Sequence, residues 1–476
     1  MAVGIVGYGA YIPRYRIKID DIARAWGSRG RGERSVTGTD EDAITMAAEA
    51  SLNAVQNSGR DPENEIDSIS FGSCSSPYIE QGTMGLMKDV LDMKPEADTC
   101  EFLGSPRAAT AAMKASANAI KAGKVKNSLV IAADCRSAEP GSDVEQTFGA
   151  GAGAMVLGTE GAIAEIEDEY SYSTAMVDRW RGSEDRFVRS YDYRYTREFG
   201  FLNHVTAAVE GLLKKTGTTI DQFQYVVLQE PDVRMKKEAA RNLKVKKEQL
   251  TSSVVESIGD SGAAGILLGL ISVLEIAKPG DRILMVSYGS GASDAISLKV
   301  TSEIDKKKGK TKPIDDYLKE KEYIDYVQYM KYTDQITQAG EKVNLNVPPV
   351  SPYIRRDSRD IYALIGAKCG KCGYINFPPS LRQICIRCGS LDLTPVKVGK
   401  RGKIYTYCIN YYMPPPLEAP LPMLYVDLDT GLRYQGLGTD TKIDDIKIGS
   451  PVELVLRRVT VERGISIYGY KFRLLS

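Results

Sequence analysis

The chain has 476 residues, enough for two or three domains. Lys+Arg and Asp+Glu both number 62, so the formal net charge is zero, which argues against a dedicated nucleic-acid binder. Hydrophobic residues at 43% and charged residues at 26% are ordinary for a soluble globular protein. The longest apolar stretch, residues 265–277, is interrupted by Glu275 and is too short to cross a bilayer, so no membrane association is expected.

Met1–Gly7 lacks a basic region and reads as a buried strand rather than a signal sequence, which leads us to expect a cytoplasmic protein. The glycines of GIVGYGAYIP (4–13) do not make GxGxxG, and Pro13 stands where a helix would have to run, which argues against dinucleotide binding. From here the chain repeats itself with a period of about 155 residues. Helix 43–59 is matched by helix 204–217, both ending on glycine, and strand 68–73 by strand 224–229. EFLGSPRAATAAM (101–113) matches ESIGDSGAAGILL (256–268), and AIKAGKVKNSLVIAAD (119–134) matches EIAKPGDRILMVSYG (275–289). FGAGAGAMVL (148–157) and YGSGASDAISL (288–298) then share a glycine pattern entering a strand. Strands alternating with helices in two like halves predict a duplicated α/β fold with a pseudo-twofold axis.

In that arrangement Ser105 of the first half corresponds to Asp260 of the second, each before a small-residue helix. Two readings stay open: a ligand cleft near both helix N-termini, or two core helices with capping residues. The basic run Lys306–Lys310 reads as a solvated connector.

GIVGYGAYIPRYRI (4–17), SYGSGASDA (287–295) and DYLKEKEYIDYVQYMKY (316–332) together resemble 3-hydroxy-3-methylglutaryl-CoA synthase, over about residues 1–340. The resemblance implies the thiolase fold, with βαβαβ-type halves at 1–165 and 166–340 in five helix–sheet layers, usually as a homodimer. It also implies an enzyme that joins acetyl-CoA to acetoacetyl-CoA through an acyl-cysteine. Carried onto this sequence, the family's nucleophile position is Pro106, a few residues before Thr110-Ala111-Ala112. The histidine position is Gln229, in Gln229-Glu230-Pro231, and the acid/base glutamate position is Cys74, in Gly72-Ser73-Cys74-Ser75. The asparagine position is Asp260. Cys100 lies six residues before Pro106, and His204, the only histidine, reads as structural.

Proline cannot attack a thioester and glutamine cannot shuttle a proton, so ordinary synthase activity is expected to be absent. What remains is the Gln229 amide and the helix-start N–H groups as donors to a thioester carbonyl, with Asp260 as a base and Glu230 and Tyr288 as second candidates. That set suits C–C chemistry on an acyl-CoA without a covalent intermediate. It also suits a CoA-binding scaffold that docks a thiolase-type partner.

Residues 341–357 are polar and proline-marked and read as a linker. Cys369-x-x-Cys372 and Cys385-x-x-Cys388 follow, with twelve residues between the pairs, and predict a closed structural Zn²⁺ site within a ribbon at 358–392. The other four cysteines are scattered, which fits free thiols rather than a disulfide framework. Five alternating segments (403–410, 423–429, 433–438, 451–459 and 466–475) predict an all-β OB-fold barrel at 393–476. Of Tyr405, Tyr407, Tyr411 and Tyr412, the period of two requires some to be core. The module resembles the rubredoxin-like zinc-ribbon/OB proteins that accompany thiolases and help hold CoA, which makes an acyl-CoA thioester the ligand shared by both parts of the chain.

Overall fold

The computed structural model of the chain describes residues 2–250, 254–337, 357–379, 383–413 and 419–475; apart from Asp357, the expected linker at 341–357 lies outside them. Two units result, residues 1–84 with 94–335 and residues 85–93 with 336–476.

The repeat in the sequence becomes a repeat in the first unit. Its first half supplies β1 (Gly4–Tyr11), β2 (Ser68–Ser73), β3 (Asp98–Leu103), β4 (Ser128–Cys135) and β5 (Ala150–Gly158). Its second half supplies β6 (Ala164–Ser173), β7 (Tyr225–Leu228), β8 (Arg282–Gly289) and β9 (Ala292–Val300). The strand order is β7-β8-β9-β6-β1-β5-β4-β2-β3, which reads alike from both edges inward. At the place of β3 in the second half, one parallel bridge stands among the described residues, Val226 to Leu250. The two half-sheets join through the short β1–β6 pairing, Gly4 with Glu165 and Ile5 with Ala164.

Four helices complete the layers: α1 (Ala43–Ser58), α2 (Ala108–Lys121), α3 (Asn203–Thr216) and α4 (Ala264–Leu274). α1 starts because the Asp42 carboxylate accepts from the Ile44 and Thr45 N–H groups while Thr45 returns a bond to Asp42. α1 and α3 stop at Gly59 and Gly217, at φ 70° and 66°, where glycine alone escapes the left-handed penalty. α4 is apolar on every face because it lies between the half-sheets. Its Leu267 approaches β5 so closely that a Cβ on Gly153 would stand 2.8 Å from the leucine Cβ. With α1 against the first half-sheet and α3 against the second, the order is helix, sheet, helix pair, sheet, helix.

Each half also anchors the other's central helix. Asp134 of β4 accepts from the Ala263 N–H just before α4 at 2.7 Å, and its other oxygen takes the Cys74 and Ser75 N–H groups and the Ser73 and Ser75 hydroxyls. Asp294 of β9 takes the Thr110 hydroxyl of α2 at 2.7 Å, Arg107 at 2.9 Å and Lys114 at 2.5 Å. Both aspartates are completely buried. Burial alone would raise the Asp294 carboxyl, but Arg107 and Lys114 beside it hold it below its ordinary value.

The basic run is not a free connector. Lys307 donates to the Ser58 carbonyl at 2.6 Å and Lys308 to the Ala277 carbonyl at 2.6 Å, closing the carboxyl ends of α1 and α4, where a cation meets the negative end of the helix dipole.

In the second unit β10 (Ile365–Cys369), β11 (Ile375–Asn376) and β12 (Leu393–Lys397) form a three-stranded ribbon in the order β11-β10-β12. β13 (Arg401–Asn410), β14 (Leu421–Leu428), β15 (Arg433–Leu437), β16 (Pro451–Glu462) and β17 (Ile465–Leu474) form an antiparallel sheet in the order β15-β14-β13-β16-β17. A bridge from Gly438 to Phe472 brings its two edges together, as an OB barrel requires. The expectation that part of the tyrosine set is core is overturned. Tyr405, Tyr407, Tyr411 and Tyr412 are all exposed; with Gly402 and Ile404 inward, alternation turns Tyr405 outward, and β13 then shifts register against β14 between Ile404 and Thr406. Tyr405 instead lies under the Arg433 guanidinium, 3.4 Å from ring centroid to Cζ.

Two outcomes test this architecture. Asp294→Ala leaves Arg107 and Lys114 without their buried partner and should cost roughly 3–5 kcal/mol in denaturant unfolding; a loss within experimental error would refute the anchoring role. Glu275, at the end of α4, has its carboxyl pushed up to about 7 by burial, with Asp315 and Asp316 adding and the Ile314 N–H opposing. The folded state therefore holds that proton more tightly than the unfolded chain. The resulting stability is full below the ordinary glutamate range and is lost as pH rises through 7, so Tm should fall from pH 5 to pH 8 less steeply in Glu275→Gln than in the parent.

Candidate functional site

In an α/β sheet, the carboxyl ends of parallel strands and the amino ends of the following helices converge, and a cavity forms where they meet. Here Cys74 follows β2, Arg136 follows β4, Gln229 follows β7 and Tyr288 ends β8. Pro106 stands before α2 and Asp260 before α4. All six line one cavity of about 140 Å³, together with Asp178, Arg179, Trp180 and Arg181 from the long segment between β6 and α3.

The two helix starts are built alike. The Ser105 hydroxyl accepts from the Arg107 N–H at 3.2 Å, and the Asp260 carboxylate from the Gly262 N–H at 3.0 Å. Gly262 has φ +57°, and a Cβ there would lie 2.2 Å from Asp134 Oδ2, so only glycine fits. These bonds change one expectation from the sequence. The Arg107, Ala108, Gly262 and Ala263 N–H groups all have acceptors within the protein, so these four are not free to hold an oxyanion.

Gln229 is also corrected in detail. Its Nε2 donates to the Gly262 carbonyl at 2.8 Å, and Oε1 is left buried with no hydrogen-bond partner among the described residues. The unpaired end of the side chain is therefore an acceptor. Glu230 is not among the cavity-lining residues; its carboxylate is paired with the Lys236 ammonium instead. Tyr288 fails as a base because burial first, and Asp178 second, push its phenol far up, and its hydroxyl donates to Asp178 Oδ2 at 2.5 Å.

Asp260 reaches the cavity as a paired carboxylate. Oδ2 is 2.5 Å from Arg136, which also donates to the Asp260 carbonyl at 3.3 Å and lies 4.0 Å over the Phe148 ring. Arg179 stands 3.6 Å from the same oxygen. Its main chain is pinned as well, the Asp260 N–H to Thr147 and its carbonyl to the Gly149 N–H. Arg136, Arg179 and Asp178 were missed in the sequence; the one signal was the density of arginine between residues 179 and 197.

Neither cysteine near the motif is poised to react. Burial, and then the Asp134 carboxylate, push the Cys74 thiol well above its usual value, so it stays protonated. Cys100 is exposed on β3, in register with Ser70, and does not line the cavity. His204 is structural: Nδ1 meets the Gly200 carbonyl at 2.6 Å and Nε2 the Thr174 hydroxyl at 2.8 Å.

In the second unit the Sγ atoms of Cys369, Cys372, Cys385 and Cys388 lie within 4.8 Å of one another. Cys369 to Cys388 is 3.6 Å and Cys372 to Cys385 is 3.5 Å, far beyond disulfide length and close to the edge of a ZnS₄ tetrahedron. The four residues fit a closed zinc site, which would be structural because all four positions are protein ligands. The protein should carry one zinc per chain by atomic emission. Cys385→Ser should lose it and unfold the ribbon, since such a site contributes on the order of 10 kcal/mol; full zinc retention in that variant would contradict the assignment.

Two family models match the first unit, 3-oxoacyl-[acyl-carrier-protein] synthase III at residues 106–172 and its C-terminal part at 213–299. Two match the second, the ChsH2 rubredoxin-like zinc ribbon domain at 356–394 and the ChsH2 C-terminal OB-fold domain at 395–457. The chain is 37% identical over 335 residues to a hydroxymethylglutaryl-CoA synthase of Pyrococcus horikoshii, spanning 69% of this chain and 95% of that one. It is 36% identical over 351 residues to that of Methanosarcina barkeri, spanning 71% and 100%. Among solved structures it shares a fold with MvaS in complex with 3-hydroxy-3-methylglutaryl coenzyme A, at TM-score 0.64 and 20% identity over 72% of this chain and 94% of that one. It shares a fold too with 3-oxoacyl-[acyl-carrier-protein] synthase III from Aquifex aeolicus, at TM-score 0.56 and 23% identity over 62% and 99%.

Proposed function

We propose that this chain, which belongs to the hydroxymethylglutaryl-CoA synthase family, handles an acyl-CoA thioester in the cavity of its first unit without forming an acyl-cysteine. The observation that carries the reading is the cavity itself. It lies at the meeting point of both central helices and is lined by Pro106 and by Cys74, whose thiol is held protonated. Gln229 Oε1 is left buried without a partner at its wall. Unmet buried polar atoms cost stability, about 1–3 kcal/mol each, and a packed inert core would not retain them.

The chemistry such a cavity suits is the making or breaking of a C–C bond next to the thioester carbonyl. In the forming direction Asp260 removes a proton from the α-carbon, the thioester enolate adds to a ketone carbonyl and the resulting alkoxide takes the proton back; in the cleaving direction Asp260 removes the β-hydroxyl proton, the Cα–Cβ bond breaks to a carbonyl and the thioester enolate, and the enolate carbon takes the proton back. Gln229 Oε1 accepts a hydrogen bond from a substrate hydroxyl. The second unit, by its likeness to zinc-ribbon/OB domains, helps to hold CoA, and the active form is a homodimer of the thiolase type.

A second reading is favoured by the saturation of the site: Asp260 is bound by Arg136 and the helix-start N–H groups are spent. In that reading the chain is a non-catalytic CoA-binding scaffold that assists a thiolase-type partner.

Intact-protein mass spectrometry after incubation with acetyl-CoA and acetoacetyl-CoA should show no adduct; an acyl group mapped to Cys74 or Cys100 would overturn the non-covalent reading. In a turnover assay for thioester C–C cleavage or condensation, Asp260→Asn should lose ~10²–10⁴-fold and Cys100→Ser should lose nothing. No turnover alone, with acceleration of an added thiolase-type enzyme, is the result that selects the scaffold.

A further inference from the structure

The barrel of the second unit leaves one strand edge open. β16 pairs with β13 only at Arg401–Lys403, and Ile404 makes the last backbone bonds on that side, to Ser450 and Gly449. From Thr406 to Asn410, β13 is paired with β14 alone among the described residues. Tyr405, Thr406, Tyr407 and Cys408 are exposed in succession, so neither face of this half-strand is covered. A two-stranded ribbon is marginal by itself. Strand edges are ordinarily kept from pairing with other chains by charged side chains or proline. This one has neither: Ile404 to Met413 contains no charged residue and no proline, in a chain that is 26% charged. The charges at its base, Asp427 and Arg433, are spent on each other at 2.7 Å. Tyr405, Tyr407, Tyr411 and Tyr412, with Tyr425 of β14, add an exposed aromatic surface of roughly 400–700 Å².

We propose that this edge is an interface between two copies of the chain, in which residues 405–410 of each copy pair antiparallel about a twofold axis and join the two barrel sheets into one. An antiparallel strand can pair with itself in reverse order, and an uncharged strip brings no like charges face to face when it does so. A partner recognised by charge finds nothing here to recognise, whereas a second neutral, aromatic strip is complementary to the first. The tyrosines supply half or more of the roughly 800 Å² that each side of a standard interface buries, and the backbone bonds of the open edge add to it. Nothing in this pairing depends on the chemistry of the first unit.

Hydrogen exchange on the full chain reads this edge directly. Amides in 405–410 should exchange at least about tenfold more slowly at about 100 μM protein than at about 1 μM, because pairing between copies follows mass action. Tyr407→Lys sets like charges against each other across the axis and should abolish that dependence while leaving the zinc content unchanged; Thr406→Lys takes its place if that variant does not fold. In a Cys100→Ser background, a short bis-maleimide should link two copies through the exposed Cys408, and should fail to do so in the lysine variant. Fast exchange at both concentrations, or slow exchange at both without a Cys408 link, would overturn the proposal, the second result assigning the edge to residues of the same chain. Slowing that appears only when a thiolase-type enzyme is added would overturn it as well and assign the edge to a different protein.

Discussion

Two buried aspartates hold the first unit together, and nearly everything about its site follows from them. Asp134 and Asp294 each leave one half of the duplicated fold and receive hydrogen bonds at the start of the other half's central helix. A carboxylate with no exposed surface is tolerable only when its oxygens are saturated and a positive potential faces it. The two sites meet that demand differently. Asp134 is satisfied by hydroxyl and backbone N–H donors, Asp294 by Arg107 and Lys114. Because each contact spans the two halves, neither central helix can shift without exposing a buried charge.

That constraint also shapes the chemistry available. A helix N-terminus is useful to an anionic ligand when its N–H groups are free. At α4 the Ala263 N–H already goes to Asp134 and the Gly262 N–H to Asp260, and at α2 Pro106 has no N–H to give. Polarity at the cavity therefore comes from side chains: the guanidiniums of Arg136 and Arg179 and the amide of Gln229. The cluster around Asp260 connects the halves a second time, since Arg136 belongs to the first half and Asp260 to the second, with Phe148 packed under the guanidinium.

Much of this architecture was legible beforehand, for local reasons. Gly59 and Gly217 ended the two matched helices because a left-handed C-cap is a property of the residue itself. The two CxxC pairs implied four convergent thiols because each knuckle is set by its own four residues. The strand periodicity of the C-terminal module carried through to five paired strands, yet the expectation of core tyrosines failed, since Gly402 and Ile404 take the inward positions of β13 and Tyr405 and Tyr407 are exposed. Lys307 and Lys308 looked solvated for a similar reason: nothing near them in the sequence reveals the helix ends at Ser58 and Ala277 that they close.

The sequence by itself determined the duplicated α/β fold and the appended ribbon and barrel, since periodicity, caps and repeated motifs act over a few residues; that Pro106, Gln229, Asp260 and Cys74 belong to one place was implied by the family resemblance alone. Only the tertiary structure decided what those side chains can do. It put Glu230 on Lys236, left the Gln229 oxygen buried and unpaired by giving its nitrogen to Gly262, and brought Arg136 and Arg179 to Asp260. Hydrogen-bond partners and counter-charges are set by neighbours in space, in these cases up to 124 residues apart along the chain, and no local pattern records them.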